Sequence, residues 1–160
     1  NFINSGFNLR PTDIAAAIGI NQLKKLNYFK KIRFGNRKKI ITTLKKSKNW
    51  KNQFTFIDAI KNIEPSWFGL PILINNKFLH KKFFFLDYLN RNGIETRPII
   101  SGNFLNQPSI KLYNLNPKRT LFKGAQEVED RGFFIGIHVE KITERELILL
   151  EKFLLNIDKI

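Results

Sequence analysis

Neither cysteine nor methionine occurs in this chain. The first absence excludes a disulfide, a thiolate zinc site and a cysteine nucleophile within it. The second gives the expectation that these residues are a piece of a longer product, with something removed upstream of Asn1. Histidine is nearly absent too: His80 and His138 have no thiolate partners, and Asp58, Glu64, Asp87 and Glu95 pair with neither at helical spacing, so no metal site is expected. The 9 glycines are too scattered to form a phosphate-cradling loop. Ser66, Ser101 and Ser109 lack the glycine-flanked strand-to-helix elbow of a serine hydrolase. No basic segment followed by an apolar one precedes Pro11, and no apolar run approaches the ~18 residues that cross a bilayer. The expectation is a cytoplasmic protein with neither a membrane span nor a catalytic residue of its own.

What is present is an excess of basic residues, 28 Lys and Arg against 13 Asp and Glu, for a formal net charge of +15. Such a charge invites a nucleic-acid-binding reading, since clustered cations neutralise phosphates and release counterions. Its placement argues otherwise. Lys24-Lys25, Lys30-Lys31, Lys38-Lys39 and Lys45-Lys46 recur about every seven residues, as on the wet face of a helix. The accompanying Asn, Ile and Phe fit an A/T-rich coding sequence better than selection for phosphate binding. With 42% hydrophobic residues, the chain can bury one ordinary core.

Along the chain, Thr12 with Asp13 behind it is an N-cap, and the Ala-rich run after it opens a helix in which Gly19 allows close packing. Phe29, Ile32, Ile40, Ile41 and Leu44 continue a helical stripe that ends near 49–52. Phe54–Ile57 and Trp67–Ile74 read as strands, with Pro71 placing the second at an edge or a bulge and with Trp67 and Phe68 in the core. The pattern Phe78, Leu79, Lys82, Phe83, Leu86, Leu89 predicts an amphipathic helix stopped by Asn92-Gly93. Ile94–Ile100 leaves as a strand, and 101–122 is a long ordered loop with a helical turn. A short helix over Ala125–Asp130, a strand over Phe133–Ile137 and a capping box at Thr143–Glu146 opening a terminal helix complete the chain. The sum is an α+β fold, a mainly antiparallel sheet of three or four strands with helices on one side: residues 1–50 are a leading helical arm and 51–160 a small domain.

Several polar residues need an explanation beyond folding. Arg97, beside Pro98 on a strand, calls for either an acidic partner, Glu95 or Glu127, or an anionic ligand. Asn103 and Gln107 lie in the long loop, where Asn commonly caps turns. His138 sits just past a strand end, where sites gather.

Three segments carry a resemblance: Gly6-Phe7-Asn8-Leu9-Arg10-Pro11-Thr12-Asp13, then Pro65-Ser66-Trp67-Phe68-Gly69-Leu70-Pro71, then Gly93-Ile94-Glu95-Thr96-Arg97-Pro98 running through Ser101-Gly102-Asn103-Phe104-Leu105-Asn106-Gln107-Pro108. Together they resemble the C-terminal part of DegT/DnrJ/StrS-type enzymes, pyridoxal-phosphate proteins that act on nucleotide sugars. The second and third look most like the nucleotide-4-keto-6-deoxyhexose 3-dehydratases and their lipopolysaccharide-biosynthesis relatives of the RfbH kind; sugar aminotransferases of the same family are the alternative. The resemblance implies the small domain of a fold-type I transferase that uses pyridoxal or pyridoxamine phosphate and works as a homodimer through the leading arm. The Lys or His that meets the cofactor lies upstream. It further implies that Asn8 bonds the cofactor phosphate in the neighbouring subunit's site and that Arg10 reaches the substrate phosphates, a role suited to a planar guanidinium. Arg97, Asn103, Gln107 and His138 are implied substrate contacts. Two departures stand out: Ala15 replaces a Gln that would partner Thr12, and Asn106 replaces an Arg of the loop. Beside this reading stand a basic nucleic-acid-binding module, which predicts a salt-sensitive cationic face with interleaved aromatics, and a purely structural domain.

Overall fold

The computed structural model describes residues 12–113 and 122–160. Thr12 caps helix α1 (Asp13–Leu23) as its sequence position predicts, its Oγ1 accepting a hydrogen bond from the Ala15 backbone N–H at 3.2 Å. No residue of α1 is buried, and Ile14, Ile18, Ile20 and Leu23 lie open. Gly19, expected in a close contact, has nothing within 4 Å of a Cβ built on it, because α1 packs on nothing among the described residues.

Helix α2 (Leu26–Lys46) buries one residue per turn at Ile32, Asn36, Ile40 and Leu44, the four-residue spacing that keeps side chains on one face. Lys31, Lys38, Lys39, Lys45 and Lys46 are exposed opposite, so the lysine run is a solvated face. The helix stops at Lys46, one turn short of the expected 49–52.

Four antiparallel strands form one sheet in the order β1 (Phe54–Phe56), β2 (Gly69–Ile74), β4 (Gly132–Gly136), β3 (Thr96–Arg97). The α+β class and the antiparallel sheet are as the sequence predicts. Pro71 is not at an edge: β2 is an inner strand, and Pro71 sits opposite Phe134 of β4. It is tolerated because a residue's N–H and C=O point to the same neighbour. The Pro71 carbonyl accepts from Ile57 N–H at 3.4 Å on the β1 side, just past the last paired residues Phe56 and Ile72, and the Ile57 carbonyl that a Pro71 N–H would have met accepts from Arg37 Nη2 at 2.7 Å instead. β3 is likewise shorter than the expected Ile94–Ile100. Pro98 supplies no donor and Ile100 takes φ +48°, so the backbone turns away after Arg97.

The core lies on one face of the sheet, where Phe54, Phe56, Leu70, Ile72, Ile74, Phe133 and Ile135 meet Ile40 and Leu44 of α2, Phe85 and Leu89 of α3 (Lys82–Arg91), and Leu147 and Leu154 of α6 (Glu144–Leu154); the short α4 (Ser109–Leu112) and α5 (Lys123–Arg131) come between α3 and α6 in the chain. Phe85 is its centre, stacked on Phe54 at 5.8 Å and edge-on to Phe133 at 6.0 Å. Phe83, expected inside, is 78% exposed, and Phe68 is also exposed, against the opposite face of the sheet where it meets Phe134 edge-on. Trp67 is half-buried, with the Arg37 guanidinium 4.3 Å above its ring. Asn92-Gly93 ends α3 as predicted, with Gly93 at φ +79°. The expected capping box is present: Thr143 Oγ1 accepts from Glu146 N–H, and Glu146 Oε2 accepts from Thr143 N–H at 2.7 Å.

Candidate functional site

Arg97 ends β3, Asn103 and Gln107 lie in the segment that follows it, and His138 lies just past β4, the neighbour of β3 in the sheet. Asn8 and Arg10 fall outside the described residues.

Arg97 pairs with Glu95, its Nε donating at 2.8 Å and its Nη2 lying 2.7 Å from the same carboxylate oxygen. Glu127, the other candidate partner, is taken by Arg131 at 2.8 Å. The Arg97 pair is open to water on both sides, 66% and 72% exposed, so it contributes at most about 1 kcal/mol and yields readily to a stronger anion. Arg97 lines a recess of about 370 Å³ with Phe83, Asp87, Asn90 and Thr96. Asn90 holds the recess wall in place, its Oδ1 accepting from Thr96 N–H and its Nδ2 donating to Thr96 Oγ1, each at 2.9 Å.

His138 lines a larger groove of about 620 Å³ between α2, α6 and the end of β4, together with Glu95, Glu140, Lys141 and Glu146 over a floor of Ile94, Ile135, Ile137 and Leu150. Since Glu95 borders this groove and Arg97 borders the recess, the ion pair is the ridge between them. Asn36 sets the shape of the groove. Only 5% exposed, it donates through Nδ2 to the carbonyls of His138 (3.2 Å) and Glu140 (2.6 Å) and accepts from Ile142 N–H (3.0 Å), so one buried amide pins the 138–142 turn to α2. Sequence reading missed Asn36. The signal was there: a polar residue midway between Ile32 and Ile40 in an otherwise apolar stripe.

The hydrogen bonds from the Thr143 backbone and hydroxyl hold the Glu146 carboxyl below its ordinary value of 4.5, with a smaller contribution from His138. A carboxylate depressed in the folded state stabilises fully above its unfolded pKa and loses that contribution as pH falls through the lower, folded value. The midpoint difference between the wild type and Glu146→Gln is therefore expected to be constant from neutral pH to about 4.5 and to shrink below it, read by thermal unfolding across that range.

Asn103 is 2% exposed, with Nδ2 donating to Gln126 Oε1 at 3.0 Å and Oδ1 accepting from Leu105 N–H at 3.1 Å. It caps a 3-10 turn (Phe104–Asn106), the role Asn commonly has in loops, so its side chain shapes the loop. Gln107 Nε2 donates to the Ser101 carbonyl at 3.2 Å, closing the same loop. Asn106 donates to Gln126 Oε1 at 3.0 Å and to Glu129 Oε2 at 2.8 Å.

Among the described residues, Lys82 is the lysine whose pKa burial lowers; its ammonium is bound to the carbonyls of Glu129 (2.9 Å) and Asp130 (2.8 Å) at the end of α5 (Lys123–Arg131), where it caps the helix, so it is committed to the fold and not to a cofactor. Among the described residues no group of three or more His, Cys, Asp or Glu could hold a metal ion, and no helix is long and apolar enough to cross a membrane.

Comparison with known proteins adds to this geometry. The sequence model described as the DegT/DnrJ/EryC1/StrS aminotransferase family matches residues 2–148. The chain is 31% identical over 140 residues to GDP-4-keto-6-deoxy-D-mannose 3-dehydratase of Escherichia coli, a match covering 86% of this chain and 34% of that protein. It is 28% identical over 152 residues to the lipopolysaccharide biosynthesis protein RfbH of Salmonella typhimurium, covering 92% of this chain and 33% of the relative. The solved structure of the E. coli GDP-4-keto-6-deoxy-D-mannose 3-dehydratase with bound hydrated PLP superposes with a TM-score of 0.77 at 30% identity, over 96% of this chain and 38% of that one. The chain thus spans about a third of the length of the curated relatives it matches.

Proposed function

Because the chain belongs to the DegT/DnrJ/EryC1/StrS aminotransferase family, we propose that it forms the small C-terminal domain and leading arm of an enzyme that dehydrates nucleotide-linked 4-keto-6-deoxy sugars at C3. The observation that carries the reading is the combined sequence and structural likeness to a 3-dehydratase, 31% identity and a TM-score of 0.77, maintained over most of this chain. The name of the Salmonella relative supports a place in the synthesis of lipopolysaccharide sugars.

Pyridoxal or pyridoxamine phosphate supplies the carbanion-stabilising chemistry when bound. It is held chiefly by parts of the enzyme other than the described residues, with Asn8 reaching its phosphate. Arg10 and Arg97 meet the charged end of the substrate, Gln107 closes the loop beside it, and His138 borders the site from β4. The exposed pairing of Arg97 with Glu95 supports this role, since a diphosphate offers a guanidinium a better partner than a hydrated carboxylate. The bare apolar surface of α1, with Ile14, Ile18 and Leu23 in the open, supports a homodimer in which the arm is covered by the rest of the enzyme and by a second subunit.

In the full-length enzyme, Arg97→Ala is expected to raise KM for the nucleotide sugar by about ten-fold with little change in kcat, the loss of one charge-assisted contact. Steady-state kinetics checks it. An unchanged KM would mean that Arg97 does no more than hold Glu95.

A further inference from the structure

Helix α5 is fastened to the body of the domain at its C-terminal end. Lys82 Nζ donates to the Glu129 and Asp130 carbonyls, and Arg131 Nε donates to the Ile74 carbonyl of β2 at 2.8 Å. From this platform two side chains reach up to the 101–107 loop. Glu129 Oε2 accepts from the Asn103 backbone N–H and from Asn106 Nδ2, each at 2.8 Å. Gln126 Oε1 accepts from Asn103 Nδ2 and Asn106 Nδ2, each at 3.0 Å. Gly102, at φ +62°, crosses directly over Glu129: a Cβ there would lie 2.7 Å from Glu129 Cβ. The loop meets α5 through four hydrogen bonds converging on two acceptor atoms, and the donors are the groups that shape its turn.

We infer that Glu129 and Gln126 are positioning residues, which act through Asn103 and Asn106 to hold the 101–107 loop in the conformation that receives the nucleotide sugar. The inference rests on the proposed function for the identity of the ligand, and on these four bonds for the mechanism. Asn103 is buried by this strap, so it organises the loop, and the loop side chains left exposed are Phe104 and Asn106. A carboxylate accepting from two neutral donors makes charge-assisted bonds, stronger than the amide pair beside it. Removing Glu129 leaves the Asn103 N–H and one Asn106 donor without their partner, and the loop then samples other turns before substrate arrives. That cost appears in binding: the fraction of enzyme with a competent loop falls and KM rises by the inverse of that fraction.

The test uses the full-length enzyme with Glu129→Ala and Glu129→Gln. Glu129→Ala is expected to raise KM for the nucleotide-linked 4-keto-6-deoxy sugar by about ten-fold or more while kcat moves by less than about three-fold. Glu129→Gln keeps an oxygen acceptor in place and returns KM most of the way to wild type. Independently of turnover, hydrogen exchange of the Asn103 and Leu105 amides is expected to quicken in Glu129→Ala while the β2 and α3 amides keep their protection. If Glu129→Ala does not fold, Gln126→Ala removes the neutral half of the strap and carries the same expectation at smaller size. Unchanged KM with unchanged exchange in the alanine variant overturns the inference alone, as does a general loss of protection that Glu129→Gln fails to rescue. A wild-type enzyme that neither binds nor converts any nucleotide-linked 4-keto-6-deoxy sugar overturns the functional reading and this inference with it.

Discussion

Asn36→Ala is expected to destabilise the fold by about 3 kcal/mol, lowering the midpoint of thermal unfolding by about 6–12 °C. The amide makes three bonds to the backbone of the 138–142 turn, and its removal leaves the carbonyls of His138 and Glu140 and the N–H of Ile142 without those partners in a half-buried seam. Unmade bonds of this kind cost about 1–3 kcal/mol each, part of which water recovers at the open side of the groove. Asn36→Asp is the informative companion. It conserves volume but turns two donors into an acceptor aimed at two carbonyl oxygens, so it is expected to destabilise at least as much as alanine does. If the aspartate variant unfolds with the wild type, hydrogen bonding at this position is not what holds the turn.

Gly132→Ala is expected to cost about 3 kcal/mol, whereas Gly136→Ala, four residues along the same strand, stays within about 1 kcal/mol of wild type. At Gly132, helix α5 passes into β4 with no intervening residue, and the Gly132 N–H still bonds the Val128 carbonyl. A Cβ there would lie 2.2 Å from that oxygen and 2.9 Å from Ile99 Cδ1. The first obstacle is backbone already committed to a hydrogen bond, so relief requires moving α5 away from the sheet. The strand register would shift with it, displacing Phe133 from its contacts with Phe54 and Phe85. Gly136 has nothing within 4 Å of an added Cβ, so the same chemical change there meets no obstacle. Thermal unfolding of the two variants side by side separates a steric requirement from the general cost of replacing glycine in a strand.

What could be read from the residues alone was local. Thr12, Thr143 with Glu146, and Asn92-Gly93 each act over three or four residues, and each is where its chemistry predicts. Long-range consequences were less accessible. Phe83 was expected inside in place of Phe85 because one helical period was extended over the whole stretch from Phe78. The 3-10 turn over Asn76–Lys81 advances at about three residues per turn, so the α-helical phase begins only at Lys82 and brings Phe85 inward. Pro71 is admissible in an inner strand only because β1 is three residues long, a fact of pairing and not of Pro71 itself.

The site divides in the same way. The motif running from Gly93 to Pro108 located the loop and its flanking arginine, since composition marks a loop whatever it packs on. It did not reveal that Asn103 and Asn106 both turn toward α5, because Gln126 and Glu129 stand 20 to 26 residues further along the chain.

The account is tested most directly by giving the full-length enzyme, supplied with pyridoxal phosphate and an amino donor, a GDP-linked 4-keto-6-deoxy sugar and determining the mass of the product. Loss of the C3 hydroxyl from the sugar is the predicted result. Replacement of the C4 keto oxygen by an amino group, with the C3 hydroxyl kept, would contradict the dehydratase reading while keeping the family chemistry, and a sugar recovered unchanged, from a protein that takes up no pyridoxal phosphate, would contradict the account as a whole.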